Sequence, residues 1–435
     1  MTHASAPGDL GQWWRGLNDP LLSELMDQAL EASPDLRKAQ ARLREARARR
    51  VVAGAAQYPS VSASGSARRN QSTGNTGTGA TGNQFSAGFD ASWELDVFGG
   101  VRRGVEAAEA DHESSEASLG DTQVSLVAEV ARSYFEVRSL QIRLGIARSN
   151  LASQTETLQL TEFRAQAGLV SSQDVEQARS NREQTLALIP SLETSLAEAE
   201  HRLDVLLGQV PGSFHARLAK GGELPAMPSQ VAVGIPADTL RQRPDVRVAE
   251  RKLAAETARV GVAEAARYPS FKFSGSIGVE ALTQASIGNG TSAFYSLLGG
   301  ITAPIFYGGR LRAQVEVQDA VREQALVAYE QAVLGALQEV ENALVALAQN
   351  RDRAEALRRA VEAARNAALL ARQRYGAGVI DFQSVLETER SVLSLEDSLA
   401  STRADGVFAL IRLYKALGGG WSPQAEARPA GKDAP

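Results

Sequence analysis

The chain writes its plan twice. PDLRKAQARLREA from Pro34 is matched by PDVRVAERKLAAE from Pro244, an offset of 210 residues that returns at Tyr58-Pro59 and Tyr268-Pro269, at Gly168 and Gly378, and at Leu207-Gly208 and Leu417-Gly418. The pair Gly99-Gly100 meets Gly308-Gly309 at 209, so one residue has slipped between. A repeat this long obliges both halves to form the same supersecondary unit. Any fold assigned to the chain must therefore hold two copies of one design.

Proline placement outlines that design. No proline occurs between Pro59 and Pro190 or between Pro304 and Pro423, which marks two long helical territories. Val127, Val130, Tyr134 and Val137 step by three and four, as do Leu337, Val340, Leu344 and Leu347 at the same offset, and each set predicts the buried stripe of a packed helix. From Gly104 to Gln166 nothing forbids one continuous helix, about 95 Å at ~1.5 Å per residue. Such a rod must lie along other rods to hide its stripe. Each rod ends at a glycine, Gly168 or Gly378, and the next helix opens with a capping signal: Ser171 with Asp174 as a capping box, and Asp381 in the copy. A helical hairpin, made twice, is predicted.

Between the helical stretches the period changes to two. Phe85, Ala87, Phe89, Ala91, Trp93, Leu95 and Val97 alternate with Gln84, Ser86, Gly88, Asp90, Ser92, Glu94 and Asp96, and Val61, Ala63, Gly65 and Ala67 alternate with serines before them. A polar, glycine-rich loop joins the two runs into a hairpin. The second half repeats this with Phe271, Phe273, Ile277 and Val279 against Ser270, Lys272, Ser274, Ser276 and Glu280, followed by Tyr295, Leu297, Ile301 and Ile305. One account is a small sheet with one face on a soluble core. The other is a membrane barrel, with an apolar outer face and the acids Asp90, Glu94, Asp96 and Glu280 inside. Four strands cannot close a barrel, so several chains would share one. The glycine pairs would then turn strand into helix at the membrane face, with Arg102, Arg103, Arg310 and Arg312 following at the polar interface.

Composition removes other classes. A net charge of -5 argues against nucleic acid as a partner, and the absence of cysteine excludes disulfides, thiolate metal sites, cysteine nucleophiles and a lipid anchor on cysteine in the chain as written. His3, His112, His201 and His215 are scattered, and no phosphate loop or nucleophile elbow occurs, so neither an enzyme nor a metal or cofactor is expected. MTHASAPGDLGQWW has neither the basic nor the apolar part of an export signal, and no stretch approaches the ~18 apolar residues of a membrane-spanning helix.

WWRGLNDPLLSELMDQAL near the start, the paired YPS at Tyr58 and Tyr268, LDVFGG and PIFYGG, RPDV at Arg243 to Val246, and YGAGVIDFQSVLETER from Tyr375 together resemble the TolC-like outer-membrane efflux proteins of Gram-negative tripartite multidrug pumps. The resemblance runs from Trp14 to about Leu417. It implies a mainly α fold with membrane β: a homotrimer with a twelve-stranded barrel, four strands per chain, continued by a periplasmic α-helical barrel. It also implies outer-membrane lipid, a periplasmic adaptor and an inner-membrane pump as partners, and no nucleic acid. Residues 1–33, 209–243 and the tail 419–435 would serve an equatorial collar; 34–208 and 244–418 would be the repeats, with β-hairpins 58–98 and 268–307 and helical hairpins 101–208 and 309–418.

Many members begin at an acylated cysteine, which is missing here. Some carry an arginine after the hinge glycine and two acids beyond it, where this chain has Val379, Ile380 and Ser384 and keeps only Glu387. The resemblance thus implies a periplasmic aperture formed by Glu387 with Arg390, Asp381, Gln383, Ser384 and Tyr375, and hinges at Gly168 and Gly378. The competing account makes Glu387 and Arg390 a solvated intrahelical pair, and Asp174 and Asp381 caps. A structural trimeric stalk or a type I secretion exit duct are the alternative functions.

Overall fold

The computed structural model describes residues 10–71, 81–226 and 242–421. Parts of the first hairpin loop, the linker and the tail, and His3, lie outside the described residues. A 3-10 segment, Leu10–Leu17, precedes helices α1 (Pro20–Ala32) and α2 (Pro34–Ala55), strands β1 (Ser60–Gln71) and β2 (Thr81–Leu95), and helices α3 (Gly100–Gln166) and α4 (Ser172–Leu206). The second copy comprises α5 (Pro244–Ala265), β3 (Ser270–Ala281), β4 (Ala293–Thr302), α6 (Arg310–Gly376) and α7 (Phe382–Ala416). The long helices of the two copies agree in length: α3 and α6 each have 67 residues, and α4 and α7 each have 35.

The chain divides into two compact units, and neither coincides with a repeat. One unit contains 1–40, 118–246 and 333–435; the other contains 41–117 and 247–332. Each unit takes segments from both copies.

The first unit holds the main core. Val127, Val130, Tyr134 and Val137 are at most 1% exposed, as the α3 stripe predicts, and pack with Trp14, Leu22, Leu25, Met26, Leu203, Leu207 and Ile411. Each such residue contributes about 1.5–3 kcal/mol by leaving water. Asp19 caps α1 by accepting from the Leu22 amide at 3.1 Å, and also accepts from the Tyr134 hydroxyl at 2.6 Å. Burial and this bond to a carboxylate push the Tyr134 phenol up to about 12.

The copy of the stripe holds at Val340 and Leu347, with Leu344 half-buried beside them, and departs at Leu337. In this stretch of α6 the buried residues are Ala336, Val340, Ala343 and Leu347, while Leu337 is 37% exposed and Leu334 and Val345 also face outward. The sequence expectation placed Leu337 in the seam, and the structure corrects it: a helix with several apolar faces buries the one its neighbours meet, here lined largely by small alanines.

Both helical hairpins turn through one motif. Gly168 and Gly378 take φ of +71° and +74°, and the amides of Leu169 and Val379 reach back to the carbonyls of Arg164 and Arg374 at 2.9 Å. This is the Schellman arrangement, which needs a residue tolerant of the left-handed region.

In the second unit the four strands form one antiparallel sheet in the order β1-β2-β3-β4. Its register builds rows across all four: Ala63–Phe89–Ile277–Tyr295 and Val61–Ala91–Gly275–Leu297 on one face, and Ser62–Asp90–Ser276–Ser296 on the other. The alternation read from the sequence thus becomes an apolar face and a face that is mainly polar along β1, β2 and β3 but carries Phe294 and Leu298 on β4. Ile305 lies past the end of β4 rather than within it.

Candidate functional site

Two regions carry the residues singled out above: the sheet with its strand-to-helix corners in the second unit, and the hairpin ends in the first.

On the polar face of the sheet, side chains bond across strands. Ser64 donates to Asp90 at 2.8 Å, Gln84 donates to Glu280 at 2.7 Å, and the Ser276 and Ser296 hydroxyls lie 2.6 Å apart. Glu94 stands opposite Lys272. On the apolar face Phe89, Ile277, Tyr295, Leu297 and Ile301 are all more than half exposed. Trp93 lies near the strand end, where its indole N–H donates to the Gln57 carbonyl at 3.1 Å.

Asp96 does not belong with the strand acids. β2 ends at Leu95, and the Asp96 carboxylate accepts from the amides of Val101 and Arg102 at 3.0 and 2.8 Å and from the Arg102 side chain at 3.2 Å. The first turn of α3 leaves amide donors without helical partners, and this carboxylate answers two of them. Asp96→Ala should lower stability by about 1 kcal/mol, seen as a lower thermal midpoint of the detergent-solubilised protein, whereas Asp90→Asn should leave the midpoint unchanged.

The corner glycines divide by reason. Gly99, Gly308 and Gly309 have φ of +83°, +56° and +85°, the left-handed region that turns the chain. Gly100 is already helical; a Cβ there would come within 3.1 Å of the Ala265 Cβ, so it serves close packing.

At the hairpin ends the structure separates the residues that sequence reasoning grouped. Asp381 is the N-cap of α7, accepting from the Ser384 amide at 3.1 Å and hydroxyl at 2.7 Å. The Ser384 hydroxyl and amide hold its carboxyl below the usual range. Asp174 and Ser171 complete a capping box on α4. Tyr375 is 2% exposed; its ring lies 4.4 Å from the Arg164 guanidinium and 5.6 Å from the Phe382 ring, in a cluster with Leu158, Val385 and Leu386. It packs the hairpin end and presents no surface.

Arg390 turns away from Glu387 and donates its Nε to Asn181 on α4 at 3.0 Å. The intrahelical pair is therefore not formed. Glu387 is exposed and, among the described residues, has no ion-pair partner; Gln383, one turn earlier on the same face, is also exposed.

Sequence reasoning missed a set of buried acids nearby. Glu389 and Glu396 on α7 are 3% and 9% exposed, and each is held by an arginine of α6 and a polar residue of α3. Burial raises the Glu389 carboxyl above its ordinary value against the opposing bonds from Thr157 and Arg372. The signal was available as a spacing of seven between the two acids, but on a charged helix it looks like solvated surface.

Comparison with known proteins agrees with this geometry. A family model described as outer membrane efflux protein matches residues 25–209 and 235–419, one match per repeat. The chain is 36% identical over 427 residues to nodulation protein T of Rhizobium leguminosarum bv. trifolii, covering 95% of this chain and 89% of that one. It is 34% identical to the pyoverdine export outer membrane protein OpmQ of Pseudomonas putida, covering 96% and 90%. Among solved structures, the outer-membrane channel OprN superposes with a TM-score of 0.90 at 38% identity, over 96% of this chain and 95% of that one.

Proposed function

Because this chain belongs to the outer membrane efflux protein family, we propose that it is the exit channel of a tripartite efflux system, in which three copies close one barrel and Glu387 lines the periplasmic aperture. The observation that carries this is the sheet. β1 and β4 are unpaired at the two edges, and every residue of both is exposed. In hydrocarbon an unpaired edge amide or carbonyl costs several kcal/mol, so an open four-stranded sheet with an apolar face is stable in a membrane only when copies continue the ladder. Three copies give twelve strands, within the range of closed barrels. The polar face then surrounds a water-filled lumen.

In this reading the ends of the helical hairpins are the surfaces an adaptor and an inner-membrane pump would engage. Three Glu387 carboxylates near one axis repel one another and attract cations. The assembled protein in planar bilayers should conduct, prefer cations, and be blocked from the hairpin side by a trivalent hexammine complex. Glu387→Gln should weaken both preference and block. Absence of conductance would favour the stalk; an unchanged Glu387→Gln channel would remove that residue from the aperture.

A further inference from the structure

In the seam of α3, α6 and α7, polar groups recur at intervals of seven residues. Glu396 accepts from Asn150 on α3 at 2.9 Å and from Arg365 on α6 at 2.7 Å. Seven residues on, Glu389 accepts from Thr157 at 2.6 Å and from Arg372 at 3.1 Å. Asn150 and Thr157, Arg365 and Arg372, and Glu396 and Glu389 are each one heptad apart, the last running backwards because α7 returns.

Only the carboxylates are buried, under Arg365 and Arg372 side chains that stay 64% and 38% exposed, and burying a charge is seldom the cheapest way to stabilise a seam, since apolar residues of the same volume do as well or better. Such groups are best at choosing among packings. A heptad seam is nearly degenerate under a slip of seven residues, about 10 Å along the axis. Here a slip one way sets Arg403 against Arg365, and a slip the other way sets Phe382 against Arg372. Each wrong register breaks a station. The same burial fixes rotation: Glu387 and Glu389 are two residues, about 200°, apart around the helix, so sinking Glu389 points Glu387 outward.

We propose that Glu389 and Glu396 are positioning residues, whose two stations set the register and rotation of α7 and so aim Glu387. The role of Glu387 itself rests on the channel reading above; the register of α7 does not.

The chain has no cysteine, so spin labels can be placed at will. Labels at Glu156→Cys on α3 and Ser391→Cys on α7, both exposed positions, diluted with unlabelled chain, report register as a distance. In a variant carrying Glu389→Leu, Arg372→Leu, Glu396→Leu and Arg365→Leu, the thermal midpoint should stay near the parent's. The distance should split, the new population displaced by up to about 10 Å, and trivalent block should weaken at least tenfold, approaching Glu387→Gln. Glu389→Gln should keep parent distance and block, because Thr157 and Arg372 both donate to the same carboxylate oxygen, which the amide retains. Should the fourfold variant not assemble, Glu396→Leu with Arg365→Leu alone is read by the same distance. A single unshifted distance in the apolar variant overturns the proposal. A split distance with Glu387→Gln itself inert would leave the positioning of α7 standing and remove only the aperture role.

Discussion

Arginine in place of Phe89 should leave almost no assembled protein in the outer membrane, while Asp90→Asn, its chain neighbour, should leave parent amounts. Phe89 is mid-strand in the row Ala63–Phe89–Ile277–Tyr295, and three of those four side chains are large and exposed. A cation on the lipid face near mid-membrane costs about 2–4 kcal/mol per chain, and every copy carries the cost. Asp90 is on the opposite face, where Ser64 donates to it; an asparagine oxygen accepts the same bond beside water. Oligomer recovered from outer membranes after extraction measures both. Equal recovery would mean that the two faces are assigned the wrong way round.

The parts legible in the sequence were those set by period and punctuation. Alternation along β2 and β3 settled which residues share a face, because strand side chains can point only two ways. Glycine after a long helix and Ser171-x-x-Asp174 before the next settled the hairpin ends, since both answer local backbone needs. What escaped depended on a third element. Leu337 fits a stripe as well as Ala336 does, and only the neighbours of α6 decide between them. Arg390 has Glu387 one turn away yet bonds to Asn181, some two hundred positions distant in the chain. Asp96 continues the alternation perfectly and leaves it only because the start of α3 offers two amides. Glu389 and Glu396 look like two more acids on a charged helix until Arg372 and Arg365 close over them. Polar residues have several partners within reach, and the spacing of one segment does not choose among them.

The other large effect concerns a place where the sheet has no room. Gly88 and Gly278 face each other across β2 and β3. A Cβ on Gly278 would come to 2.5 Å from the Ala87 carbonyl oxygen and 2.8 Å from the Gly88 Cα; one on Gly88 would come to 2.7 Å from the Ile277 oxygen and 3.0 Å from the Gly278 Cα. These obstacles are backbone, so no rotamer change relieves them, and the central strands must part. Overpacking of this kind costs about 1–3 kcal/mol, here at the one pairing that joins the two repeats within the sheet. Gly65, also in the sheet, meets nothing nearer than 3.9 Å. Alanine there is free of strain and narrows the unfolded ensemble, so it should be neutral or stabilising by a few tenths of a kcal/mol up to about 1. Gly278→Ala should therefore lower the thermal midpoint of the solubilised assembly by several degrees and reduce its yield, Gly65→Ala should do neither, and Gly88→Ala added to Gly278→Ala should worsen the loss, because each methyl strikes the other strand's main chain. If Gly278→Ala and Gly65→Ala melt together, β2 and β3 are not packed as closely as this register requires.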